Sequence, residues 1–167
     1  TMQSEMQSSL GLGSLFVFIT LSIGFRSFKQ ATVTLVPILL VVVWLYGLMY
    51  MAGSSLNIVT VTIATISLGV GIDYCIHVTE RYREGRESGE SHDEALIGIG
   101  GACGLALIGS AASDIAGFSV IALSPMGLFT NFGIFSAAMI AFSLVASLVL
   151  TTAALGLVAR KPSAEAS

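Results

Sequence analysis

The sequence predicts an all-α membrane protein with five transmembrane helices. Three observations carry that prediction. Of 167 residues, 54% are hydrophobic and only 10% are charged, against about 25% charged in soluble domains, and the mean hydropathy is +0.90. The apolar residues gather into long stretches near the roughly 20 residues that a helix needs to cross a bilayer. All seven basic residues fall in alternate loops or at the C-terminus, as the positive-inside rule requires of a multi-pass chain.

The first span runs from about Leu10 to Phe25 and is the shortest, with room to begin a turn earlier. The second, Ala31 to Met51, contains Pro37, expected to kink it. Trp44, Tyr46 and Tyr50 in that span read as packing or interface aromatics. The third, Leu56 to Val78, holds the ionisable residues discussed below. The fourth, Ala95 to Leu123, is crowded with small residues: Gly98, Gly100, Gly101, Gly104, Gly109, Ser110, Ser113 and Gly117. Gly100 and Gly104 form a small-xxx-small step that lets helices approach closely in lipid, and Gly69 and Gly117 are further candidates for helix packing. The fifth runs from Leu128 to Ala159. The last two are long enough to tilt or to project beyond the lipid.

Arg26, Lys29, Arg81, Arg83, Arg86, Arg160 and Lys161 all lie on one side of this topology, and the loops at 52–55 and 124–127 carry no charge. The expected orientation therefore puts the basic loops and the tail 160–167 in the cytoplasm and the N-terminus outside. An odd number of spans with an outside N-terminus points to something upstream. Thr79 to Glu94 is the strongly polar stretch, expected to be a solvated cytoplasmic connector that is helical at its start. Ser91 is placed to cap a helix, with Glu94 at the capping-box position. Cys75 and Cys103 fall in apolar runs and read as buried thiols rather than a disulfide or metal site. No cofactor, metal or nucleic-acid partner is expected.

The residues able to do chemistry lie in the third span, in Leu68-Gly-Val-Gly-Ile-Asp-Tyr-Cys-Ile-His-Val78. A carboxylate in hydrocarbon costs roughly 2.5 kcal/mol or more, so such an acid faces protein or a wet cavity and is a functional candidate by default. Thr62, Thr65, Gly69, Asp73, His77 and Glu80 make one small or polar stripe at steps of three and four. Tyr74, about 100° round from Asp73, is free to serve a neighbouring helix. Burial favours the neutral carboxyl and contact with charge or water the ionised one. An acid moved between two environments can thus load and unload a proton, and no Lys or Arg lies within a span to hold it ionised. The alternative is a neutral Asp73 that only fastens two helices. His77, one turn on, is either a proton shuttle or a boundary residue. Asp114 is the other intramembrane acid, on a face with Ser110 and Gly117. Counting helical rise from the outer ends sets Asp73 about 25 Å deep and Asp114 about 13 Å, some 12 Å apart, which argues against direct contact.

Taken together, Gly69-Val-Gly-Ile-Asp-Tyr-Cys-Ile-His77 with Glu80-Arg-Tyr-Arg-Glu84 resembles the fourth transmembrane helix of the RND superfamily of exporters, in its MmpL, hopanoid-exporter and Patched-like branch. Met51-Ala-Gly-Ser-Ser-Leu-Asn-Ile-Val-Thr60 resembles the preceding turn. Ser110-Ala-Ala-Ser-Asp-Ile-Ala-Gly-Phe118 and Leu123-Ser-Pro-Met-Gly127 resemble the fifth helix and the turn after it. The resemblance implies an RND-type, sterol-sensing-domain-like half-bundle: helices two to six of one half, without the first helix and the extracytoplasmic porter domain. Residues 1–9 would be the end of that domain, and residues 10–159 the bundle. It further implies a proton-motive-force-driven exporter of hydrophobic or lipid-like substrates in the cell (inner or plasma) membrane. Asp73 and Tyr74 would be the proton relay, with His77 and Asp114 as further candidates, facing the other half from a longer chain or a second copy. Many members carry a Thr where this sequence has Asp114, which leaves the role of that acid open. Two other functions compete. One is a non-transporting sterol-sensing or scaffold module. The other is an intramembrane aspartyl protease with two acids as its dyad, disfavoured because Ile72 interrupts the Gly-x-Gly-Asp pattern and Ser113 rather than Tyr precedes Asp114.

Overall fold

Alternating apolar spans and short loops fold into an antiparallel helical bundle. The computed structural model describes residues 2–53 and 58–159. Thr1, Ser54 to Asn57 in the second loop, and residues 160–167 with the basic pair Arg160 and Lys161 lie outside the described residues. The helices are α1 (Met2–Phe25), α2 (Phe28–Met51), α3 (Ile58–Glu87), α4 (His92–Gly98), α5 (Gly104–Ala122), α6 (Gly127–Val145) and α7 (Thr152–Ala159). A π-helical turn at Ile99–Cys103 joins α4 to α5, and another at Ala146–Thr151 joins α6 to α7, so the seven segments form five rods. Phe28–Met51, His92–Ala122 and Gly127–Leu157 are long and apolar enough to cross a membrane, and Gly11–Phe25 is a shorter apolar helix. The chain is an all-α membrane half-bundle. α1 begins at Met2, ahead of the apolar boundary at Leu10.

The polar connector is helical through Glu87. Arg83 reaches Glu80 at 3.1 Å and Glu87 at 3.4 Å, pairs at i,i+3 and i,i+4 spacing. Gly89, at φ +89°, turns the chain where residues with a side chain are disfavoured. Ser91 then caps α4: its hydroxyl accepts from the Glu94 N–H and the Glu94 carboxylate accepts from the Ser91 N–H, a complete capping box. These hydrogen bonds hold the Glu94 carboxyl below its ordinary range. Arg81 pairs with Glu90 at 3.1 Å, and the Tyr82 hydroxyl meets His92 Nδ1 at 2.9 Å. The connector is thereby folded back against the end of α3.

α2 and α3 are shared by two apolar clusters. Leu21 and Phe25 of α1 pack with Ala31, Leu35 and Ile38 of α2 and with Ile72 and Cys75 of α3. On the other side, Val41, Leu45 and Met49 of α2 and Tyr74 and Val78 of α3 pack with Leu107 and Ala111 of α5 and with Phe135, Met139 and Ile140 of α6. α2 continues as helix through Pro37, and Trp44 packs edge-on against Phe142 of α6 with ring centres 5.9 Å apart. Tyr50 is exposed. Both cysteines are free: Cys75 is buried and Cys103 half-buried.

Close helix approach occurs where the sequence gives little sign of it. A Cβ on Gly133 of α6 would stand 2.6 Å from the Phe118 carbonyl oxygen and 2.8 Å from Ala122 Cα, both backbone atoms of α5. One on Gly71 would stand 2.7 Å from Ser143 Oγ. At Gly69, Gly100 and Gly117 a Cβ would meet nothing within 4 Å, and at Gly104 its nearest neighbour is the Ile99 carbonyl of the preceding turn, at 3.0 Å. Gly98 lies against the Arg81 side chain of α3 and buried Gly104 within reach of Leu148 of the fifth rod, whereas Gly69, Gly100 and Gly117 seat against no described helix of this chain. Gly100, Gly109, Ser110, Ser113 and Gly117 lie on the exposed surface instead.

A seam of hydroxyls runs through the interior. Thr34, Thr79, Ser136, Ser143, Ser147 and Thr151 are fully buried. Thr34 Oγ1 and Thr79 Oγ1 are 3.0 Å apart, Thr79 donates to the Cys75 carbonyl at 2.8 Å, and Thr151 donates to Cys75 Sγ at 3.3 Å. These contacts bind α2, α3 and the fifth rod where hydrophobic attraction between helices is weak.

Candidate functional site

Asp73 and Tyr74 occupy adjacent positions on α3 and therefore different faces. Tyr74 turns into the bundle, 4% exposed. Asp73 stays on the exposed surface of the chain, as do Thr62, Thr65, Gly69 and His77 of the same stripe. A stripe expected to face protein or water thus faces outward from this half-bundle, beside α5.

Between α3 and α5 lies an open cleft of about 450 Å³, lined by Val70, Asp73, Tyr74, His77, Cys103, Ala106, Leu107, Ser110 and Asp114. All four ionisable residues picked from the two spans border it. The Tyr74 hydroxyl donates to Asp114 Oδ2 at 3.0 Å, and at the other end of the cleft the Cys103 thiol lies 3.9 Å from the His77 carbonyl oxygen.

The helical-rise count argued against direct contact between Asp73 and Asp114, and the hydrogen bond to Asp114 comes from Tyr74, the neighbour of Asp73. That count compares backbone heights and ignores side-chain reach. Tyr74 and His77 are about 4.5 Å apart along α3, whereas their partners Asp114 and Cys103 are about 16 Å apart along the fourth rod. The phenol makes up much of the difference. Helical side chains lean toward the N-terminal end of their own helix, which for α3 is the end nearer Asp114.

Chemically, the cleft offers two carboxyl groups, a phenol and an imidazole along one groove, with the Ser110 hydroxyl on its wall. Water is about 30 Å³ per molecule in the liquid, so the volume admits several beside these polar groups. A set of this kind can move a proton in steps. Sequence reasoning did not find Cys103 or Leu107 as lining, because neither polarity nor periodicity separates them from ordinary apolar positions. The Tyr74–Asp114 bond left one sequence signal: two polar residues, each in an otherwise apolar span.

Comparison with known proteins agrees with this architecture. Residues 1–166 match the profile of the MMPL family. A protein described as putative membrane protein MJ1562, from Methanocaldococcus jannaschii, is 32% identical over 152 residues, a match covering 91% of this chain and 39% of that protein. The hopanoid transporter HpnN of Burkholderia multivorans is 30% identical over 141 residues, covering 81% of this chain and 16% of the transporter. The chain spans well under half the length of either relative.

Proposed function

Because the chain belongs to the MMPL family, we propose that it forms part of the membrane domain of a proton-motive-force-driven, RND-type exporter of hydrophobic or lipid-like molecules. It is read as a carrier component rather than an enzyme. Asp73 and Tyr74 form the proton relay, and Asp114 and His77 extend it on either side. The observation that carries this reading is the Tyr74–Asp114 hydrogen bond within a cleft that Asp73 and His77 also line. Ionisable groups are costly within a membrane segment and mark proton and substrate paths. The likeness to a hopanoid transporter supports a lipid-like substrate. One charge moved through 100 mV releases about 2.3 kcal/mol, enough to drive a conformational cycle.

The exposure of Asp73 and His77 supports a partner over that face: the other half of the exporter, from a longer chain or a second copy. Gly100 and Gly117, uncovered in this chain, are available for that contact. The proposed setting is the inner or plasma membrane, with α1 starting outside and the connector at 79–94 in the cytoplasm, where its Arg residues belong.

The test is flux in proteoliposomes under an imposed pH gradient, using the membrane protein that carries this chain. Proton-coupled export of a fluorescent lipid is expected in the parent and not in Asp73→Asn. Parent-like coupled flux in Asp73→Asn would remove the relay. Ligand-dependent partner binding without flux would favour the sterol-sensing or scaffold alternative.

A further inference from the structure

We infer that Asp114 is the acid through which protons from the extracytoplasmic side reach the relay, with Tyr74 as the hydroxyl that connects it to Asp73. This rests on the transport reading above and assigns a direction to it. Asp114 lies on the half of α5 that leads into the uncharged turn at 123–126, and His77 lies on the half of α3 that leads into the basic connector. Along α3, Asp73, Tyr74 and His77 follow one another toward the basic connector, and Asp114, which the Tyr74 hydroxyl reaches, belongs to the half of α5 on the uncharged side.

Tyr74 is the group that joins Asp114 to the rest of the cleft, and its side chain is also hydrogen-bonded with Ser110. From α3, Tyr74, Asp73 and His77 line the cleft that it shares. From its own rod, Ser110 and Cys103 do so. α6, packed on α5, carries no ionisable side chain anywhere between Gly127 and Val145. Among the described residues, the hydrogen bond to the Asp114 carboxyl comes from Tyr74.

Asp114 takes a proton from outside and becomes the neutral acid. It gives that proton to the Tyr74 phenol oxygen while the phenol releases its own toward the Asp73 carboxylate, directly or through water in the cleft. Tyr74 is neutral before and after, Asp114 returns to a carboxylate, and Asp73 gains one proton. The 3.0 Å separation of the phenol oxygen and Asp114 Oδ2 is the distance this transfer needs. A merely structural clamp would need only an acceptor oxygen at position 114. The relay needs an acid there, and the two differ in what an amide does.

Asp114→Asn keeps a carbonyl oxygen for the Tyr74 hydroxyl and removes the proton site; Asp114→Glu keeps the acid. In proteoliposomes holding the membrane protein that carries this chain, flux would be followed against external pH at fixed internal pH. Asp114→Asn is expected to lower flux by about a hundredfold, the low end of what a positioned proton donor contributes, and to flatten its dependence on external pH, with Asp114→Glu restoring both. Infrared difference spectra on acidification of the solubilised protein would lose one carboxyl band in Asp114→Asn, a readout independent of transport. An unchanged pH profile, or an unchanged set of carboxyl bands, in Asp114→Asn would overturn the inference while leaving the transport reading intact, provided Asp73→Asn still abolishes flux. If Asp73→Asn also transports normally, the transport reading fails and this inference with it.

Discussion

Gly133→Ala tests how closely α5 and α6 depend on a missing side chain. Two effects oppose each other. Replacing glycine by alanine inside a helix ordinarily stabilises by about 0.5–1 kcal/mol. Here the new methyl would lie 2.6 Å from the Phe118 carbonyl oxygen and 2.8 Å from Ala122 Cα. These are backbone atoms, unable to rotate away as a flexible side chain would. Overpacking of a closed core costs about 1–3 kcal/mol, so the clash wins and the variant is less stable by roughly 0.5–2 kcal/mol. Gly117→Ala is the matched control: its methyl meets nothing within 4 Å, the propensity gain stands unopposed, and stability should rise slightly. The buried Cys75 thiol supplies the assay. In a Cys103→Ala background a maleimide dye reacts with it on unfolding, and adding Cys75→Ala removes that signal. At about 2–4 °C per kcal/mol for a chain of this size, Gly133→Ala should melt several degrees below Gly117→Ala in detergent. Equal midpoints, or a higher one for Gly133→Ala, would refute the argument that α5 and α6 meet backbone to backbone.

Three further outcomes follow from the packing. Thr34→Val removes the interhelical bond to Thr79 at 3.0 Å but leaves Thr79 bonded to the Cys75 carbonyl, so the loss should be near the 0.6 kcal/mol average for such bonds in membranes, measured by the same melting assay. A double-mutant cycle on Arg81 and Glu90, partly exposed and 3.1 Å apart, should return a coupling of at most about 1 kcal/mol that shrinks with added salt. Glu94 bonds the Ser91 N–H and its carboxyl is held low in the folded state. Its contribution to α4 is therefore complete above the ordinary carboxylate range and lost as pH falls through the lowered folded value. Hydrogen exchange at the start of α4 should quicken with acidification, and Glu94→Gln, which removes the titrating carboxyl, should remove most of that pH dependence.

Much of this bundle is legible in the sequence because hydropathy and charge act over whole segments. The basic residues Arg26, Lys29 and Arg81 to Arg86 mark the ends of helices on one side, and Ser91 with Glu94 marks the start of α4 to the residue. Features set by one atom's position are not legible. Gly133 gives no sign that it faces backbone, whereas Gly100, Gly109 and Gly117 of the conspicuous fourth span face outward. Tyr74 reaches Asp114 because of ring length and helix crossing, neither of which enters a count of rise per residue. The polar start of α1, Met2 to Ser9, reads as outside the lipid and is nonetheless helical, since helix and hydrocarbon need not share a boundary. The π turns leave no mark in hydropathy; at Gly101 the backbone leaves helical angles (φ −76°, ψ −125°), and no property of the residue type requires it.

Those two turns also bear on how such a chain can change over generations. A π turn is an α-helix holding one surplus residue, which the widened turn takes up so that the helix beyond keeps its phase; the same residue added to an unbroken α-helix would swing everything beyond by about 100°. A deletion within 146–151 would return the turn to α-helix and leave Leu155, 4% exposed, still facing its neighbours. Gains and losses of single amino acids are thus tolerable in the middle of a crossing, and gaps between homologues belong inside the rods as well as in the connections.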